Sequence, residues 1–125
     1  MSRIEHFAIY ADDPTALKAF YVSVFGLHVV FDSGGDPPAF FLADNHGMAI
    51  EILARAEGNA AVNQRWVCHL AFWVEDVAGK KAELERLGLI FETETLVDTE
   101  ELKTAFFKDP GGNRAQIVWR KKPLT

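Results

Sequence analysis

With 125 residues, 49% of them hydrophobic and 25% charged, the chain has the size and composition of a single globular domain with no disordered tail indicated. Its net charge of −5 argues against polyanionic partners, so neither nucleic acid nor an acidic membrane surface is expected to bind it. No apolar run approaches membrane-spanning length, Met1–Glu5 leads into a strand pattern rather than a signal peptide, and one cysteine excludes an intrachain disulfide; the expected location is the cytoplasm.

Ile4 to Ala11 reads as a strand that stops at Asp12-Asp13-Pro14, where Asp13 suits a helix N-cap and Pro14 the first helical position. Leu17, Phe20, Tyr21, Val24 and Phe25 then make the i, i+3, i+4, i+7, i+8 stripe of an amphipathic helix, which Gly26 terminates. His28 to Asp32 is a strand, Ser33 to Pro38 a turn region, and Ala39 to Ala43 the next strand. Asp44-Asn45-His46-Gly47 reverses the chain into a fourth, Met48 to Ala54. His28 and His46 are expected at the surface.

Arg55 to Gln64 is expected to connect this unit to a second one beginning at Trp66. Its helix is capped by Asp76 and runs to Gly88, with a thin stripe of Val77, Leu84 and Leu87. Leu89 to Glu94, Lys103 to Lys108 and Arg114 to Arg120 supply three strands, with Asp109-Pro110-Gly111-Gly112-Asn113 turning into the last. The second unit repeats the first: His6-Phe7-Ala8-Ile9-Tyr10-Ala11-Asp12-Asp13 aligns with His69-Leu70-Ala71-Phe72-Trp73-Val74-Glu75-Asp76, a period of 63 residues. The fold class is therefore α+β, two tandem βαβββ units. They divide at about 3–55 and 65–121 around a 56–64 connector, and they share one domain because some 60 residues alone bury too little surface.

Strand alternation puts His6 on one face with Ala8 and Tyr10, while Phe7 and Ile9 face the helix. His69 likewise goes with Ala71 and Trp73, and Cys68 points away. Glu51 and Gln116 interrupt the apolar last strand of each unit at similar offsets from the histidines, 45 and 47 residues. One member of each pair Phe40/Phe41 and Phe106/Phe107 must point inward. A lone strand histidine is usually structural, and a lone glutamate usually faces water. Were the four polar groups to meet in a shared interior, an unpaired carboxylate there would cost several kcal/mol, and a cation would remove that cost. Two imidazoles and two side-chain oxygens suit zinc, nickel, cobalt, iron or manganese better than magnesium or calcium.

A tandem βαβββ chain with His6 in the first strand, Glu51 in the fourth, His69 in the fifth and Asp109-Pro110-Gly111-Gly112-Asn113 before the last resembles the vicinal oxygen chelate superfamily from Ile4 to Arg120. This group includes glyoxalase I, bleomycin- and fosfomycin-resistance proteins and extradiol dioxygenases. The resemblance implies that the sheets curl into a cup-like mixed sheet with helices outside, that the chain pairs into a homodimer, and that one divalent transition metal is held inside. Carried over position by position, it makes His6, Glu51, His69 and Gln116 the metal ligands, with Gln116 where glyoxalase-I-like members have glutamate. An amide still ligates through oxygen but cannot act as a base, which leaves Glu51 as the catalytic residue. A glyoxalase-I-like lyase or isomerase would chelate a small substrate by two neighbouring oxygens and pass through an enediolate. Tyr10 and Trp73 would wall the substrate pocket, although core packing is an equally good account of both. Two other classes stay open: a metal-free ligand-sequestering protein of the antibiotic-resistance kind, and a two-histidine, one-carboxylate iron dioxygenase. Against the latter, extradiol enzymes take their carboxylate from the last strand, where this chain has Gln116.

Overall fold

The computed structural model describes residues 3–55 and 68–124. Two compact units emerge, Met1–Ala61 and Val62–Thr125, and each builds its own four-stranded sheet. The α+β class and the tandem βαβββ arrangement hold.

In the first unit the order is β1 (His6–Ala11), α1 (Pro14–Phe25), β2 (His28–Asp32), β3 (Phe40–Ala43) and β4 (Ala49–Ala54). The spatial order is β1-β4-β3-β2: β1 runs parallel to β4, which forces the helical crossover, and the other pairs are antiparallel. Asp13 caps α1 by accepting from Ala16 N, Pro14 opens it, and Gly26 closes it at φ 68°, a left-handed conformation that glycine adopts without steric cost. Leu17 and Tyr21 of the helical stripe are buried and Phe20, Val24 and Phe25 half-buried. They cover a row formed by Ile9, Ile52 and Phe40, in register across three strands, beside Ile50 and Leu42. That row occupies one face of the sheet. His6, Ala8 and Tyr10 therefore stand on the other, as alternation requires.

In the second unit the order is β5 (Leu70–Trp73), α2 (Val77–Arg86), β6 (Val97–Asp98), β7 (Leu102–Lys108) and β8 (Arg114–Arg120), arranged β5-β8-β7-β6. Asp76 caps α2 by accepting from Gly79 N. Ala105, Phe107, Ala115 and Ile117 are fully enclosed on the face toward α2, whose Val77 and Leu84 are buried. The Phe pairs divide as alternation demands: Phe40 and Phe107 lie inside, while Phe41 and Phe106 lie on the opposite faces.

Three expectations fail here. Leu89–Glu94 forms no strand: Phe91 alone bridges Phe107, Glu92 N donates to Phe106 O, and Ile90 is 83% exposed. The short edge strand is Val97–Asp98 instead; the Leu89–Glu94 segment keeps only that single bridge to β7, and its Glu92 side chain pairs with the buried Arg114. Leu87 is exposed, since α2 ends at Arg86 and Leu87 sits in the cap, off the helical stripe. His69 precedes β5 rather than lying within it. The connector and Val67 fall outside the described residues. Among the described residues no helix is long and apolar enough to cross a membrane.

Candidate functional site

Each unit sets a histidine close to a side-chain oxygen donor: His6 near Glu51 in the first, His69 near Gln116 in the second. In the first unit Glu51 lies opposite Ala8 of β1 on one side and Phe41 of β3 on the other. Alanine at position 8 leaves room above the strand, and the carboxylate uses it: Glu51 Oε1 is 3.7 Å from His6 Nε2, and the glutamate side chain is 23% exposed. The other ring nitrogen, His6 Nδ1, lies 2.9 Å from Glu5 Oε1. Phe41 meets the imidazole edge-on, with ring centroids 5.2 Å apart.

The second unit repeats this layout with different chemistry. Gln116 lies between Ala71 and Phe106 in the same register that Glu51 has between Ala8 and Phe41. Phe106 meets His69 edge-on at 5.1 Å, reproducing the Phe41–His6 contact. Thr104 Oγ1 donates to Ile117 O at 3.0 Å, so its oxygen can only accept from Gln116 Nε2, at 2.5 Å. That fixes the amide with its oxygen turned away from Thr104 and available to the imidazole, to which the Gln116 side chain is hydrogen-bonded.

Beneath Phe106 lies a residue that the sequence did not flag. Arg114 is buried, its side chain 1% exposed, and its guanidinium carbon sits 3.8 Å from the Phe106 ring centroid. Glu92 receives it bidentately, at 2.7 Å from Nε and 2.9 Å from Nη2, and also accepts from Thr95 Oγ1. Its strand position shares the Gln116 face, a signal alternation does supply. The Glu92 partner, 22 residues upstream in an irregular segment, has no sequence signature.

Burial lowers the His69 pKa below its ordinary value, the Arg114 charge lowers it further, and the Gln116 hydrogen bond and Glu92 oppose both. The imidazole is thus kept neutral, the form that offers a lone pair. Its Nδ1 is enclosed and has no hydrogen-bond partner among the described residues. In the second unit an orphaned buried nitrogen on a neutral ring and an oriented amide oxygen are donors of the kind a borderline divalent metal accepts, and in the first unit His6 and Glu51 offer an imidazole and a carboxylate. Among the described residues no three His, Cys, Asp or Glu side chains gather as a metal-holding group; each unit shows one pair. Tyr10 and Trp73 are 38% and 44% exposed, so neither belongs to a core, and Trp73 Nε1 donates to Glu75. Cys68 is exposed, as are His28 and His46.

Comparisons with known proteins agree with this architecture. An uncharacterised protein of Escherichia coli K12, YaeR, is 29% identical over 118 residues, covering 90% of this chain and 92% of its own. Lactoylglutathione lyase from Agrobacterium tumefaciens superposes with a TM-score of 0.68 at 26% identity, covering 94% of this chain and 93% of its own. The fosfomycin resistance protein FosX from Listeria monocytogenes, solved with Mn(II) and sulfate, gives 0.74 at 18% identity, with 99% and 95% coverage. The family model for the Glyoxalase/Bleomycin resistance protein/Dioxygenase superfamily matches residues 3–117, and the chain belongs to that superfamily.

Proposed function

We propose that the protein is a divalent-metal-dependent lyase or isomerase of the glyoxalase I kind, acting on a small molecule that presents two neighbouring oxygens, and that it works as a cytoplasmic homodimer. His6, Glu51, His69 and Gln116 would hold the metal. The observation that carries this reading is the duplicated pair: a histidine beside an oxygen donor in each unit, with Glu51 and Gln116 in equivalent registers between an alanine and a phenylalanine. A bound ion would supply Lewis-acid charge to the substrate's two oxygens.

The chain's own residues account for the rest. Glu51 is the one carboxylate of the four. It is only partly exposed and lies within 4 Å of an imidazole, so it is the group to take a proton from carbon and return it to the neighbouring carbon. Gln116 stays neutral and contributes orientation rather than proton transfer. With one carboxylate instead of two, the ligand set leaves a divalent ion with net positive charge, which weakens retention and strengthens polarisation of the substrate. Tyr10 and Trp73, equivalent in the two copies and exposed on the donor faces, would contact substrate.

Metal content of protein purified without chelator is the first test, followed by turnover of hemithioacetal substrates. Near-stoichiometric zinc, nickel, cobalt, iron or manganese is expected, with turnover abolished in Glu51→Gln and the fold retained. Turnover unchanged in that variant removes Glu51 from the chemistry. Ligand binding without metal or turnover would make the chain a sequestering protein, and oxygen uptake with catechols would make it a dioxygenase.

A further inference from the structure

The repeat makes Glu5 of the first unit equivalent to Cys68 of the second, each directly before its histidine. Their surroundings differ. His69 Nδ1 has no hydrogen-bond partner among the described residues, whereas His6 Nδ1 lies 2.9 Å from Glu5 Oε1. Glu5 stands immediately before β1, outside the strand's alternation, so its side chain can come round to the neighbouring ring. Its backbone is held there, because Glu5 O accepts from Ala49 N at 3.0 Å. Phe41 holds the ring from a second direction, edge-on at 5.2 Å. A carboxylate only accepts, so the proton of the Glu5 contact belongs to Nδ1. In the neutral ring Nε2 then carries the lone pair, and it faces Glu51 Oε1 across 3.7 Å. That is too long for a hydrogen bond, as expected of two acceptors turned toward one another.

We propose that Glu5 is a positioning residue of the candidate metal centre, fixing the tautomer and direction of His6 so that its Nε2 lone pair is presented beside Glu51 before any ion binds. This deepens the metal-dependent reading above and rests on it for the ion alone; the hold of Glu5 on His6 stands apart from it. A carboxylate behind an imidazole does two things: it selects which nitrogen keeps the proton, and it makes the opposite nitrogen a stronger donor. The first unit is thus the half prepared for a cation, with one imidazole flanked by two carboxylates. The second unit lacks this preparation, since the thiol of Cys68 is a weak acceptor and His69 Nδ1 goes unpartnered among the described residues. Exposure limits the effect. The Glu5 side chain is 78% exposed, and water competes for the ring proton, so the gain belongs at the low end of the roughly 10–100-fold that such partners contribute to metal affinity.

Nitrogen-15 spectra of the metal-free protein at about pH 9, well above the ordinary imidazole value of about 6.5, read the tautomer of each histidine directly. His6 should carry its proton on Nδ1. Glu5→Ala should lose that preference, and Glu5→Gln, whose amide oxygen still accepts, should keep it. Zinc and nickel affinities, measured by competition with a chromophoric chelator, should fall roughly tenfold in Glu5→Ala and by less in Glu5→Gln. A proton on His6 Nε2 in the unaltered protein, or a tautomer that Glu5→Ala leaves in place, overturns the proposal. So do metal affinities that stay constant while the tautomer shifts. An equal fall in both variants would trace to net charge rather than to the held ring, and would overturn the positioning role as well. Should neither zinc nor nickel bind the unaltered protein, the metal reading is what fails, and the spectra still decide whether Glu5 sets His6.

Discussion

Thr104 spends its hydroxyl proton on the Ile117 carbonyl, and this one bond decides how Gln116 presents its amide. Thr104→Val keeps the side-chain shape but leaves a buried amide N–H unpaired, which costs about 1–3 kcal/mol. Urea unfolding should register that loss, and nickel affinity should fall with it as the amide becomes able to flip. His69 adds a pH dependence. Its folded pKa is lowered, chiefly by burial, so the folded protein binds fewer protons than the unfolded chain between the depressed value and 6.5. Stability from this residue is therefore complete above pH 6.5 and declines as pH falls through the depressed folded value. Urea midpoints of the metal-free protein taken from pH 7.5 to 5 should fall, and less steeply in His69→Gln. Identical slopes would mean that the neutral ring is not favoured by the fold.

At the scale of elements, register sets the site, and turns set register. Asp109 is buried, and its Oδ1 accepts from Gly111 N, Asn113 N and Asn113 Nδ2, closing the β7–β8 turn that aligns Phe106 with Gln116. Asp109→Ala orphans these donors and should cost at least the roughly 1–3 kcal/mol of one unmade buried bond. The Arg114–Glu92 pair behaves differently. Arg114→Met strands the Glu92 carboxylate and should cost toward the low end of about 3–5 kcal/mol, because Glu92 is partly exposed; pairing it with Glu92→Met should recover most of that. A double variant as unstable as the single one would show that the pair does more than fill space beneath Phe106.

For the whole molecule, metal binding and folding stability are linked. An ion bound only by the folded chain, at one hundred times its dissociation constant, adds about 2.7 kcal/mol, and chelator should remove it. Glu51→Gln should diminish that gain, whereas Gln116→Glu should enlarge it by restoring a second charged ligand. No gain with any of zinc, nickel, cobalt, iron or manganese would leave the duplicated pairs without a metal role. The duplication also explains why much was legible from residues alone. Two copies of one pattern indicate the βαβββ sequence of elements and both helix N-caps, and they mark His6 as equivalent to His69 and Glu51 to Gln116. Leu89–Glu94 misled because its apolar run reads as a strand and carries no sign of the long-range pairing of Glu92 with Arg114.

Local periodicity and the internal repeat were enough to determine the class, the two units, Asp13, Gly26 and Asp76 as helix ends, and that one phenylalanine of each pair turns inward, since these depend on near neighbours along the chain. Only tertiary structure decided which phenylalanine of each pair lies inside, that Phe41 and Phe106 seat the two histidines, that Thr104 orients Gln116, and that Arg114 packs against Phe106 while pairing with Glu92. Those contacts join residues distant in sequence, through side-chain hydrogen bonds and ring packing, and no spacing rule encodes them.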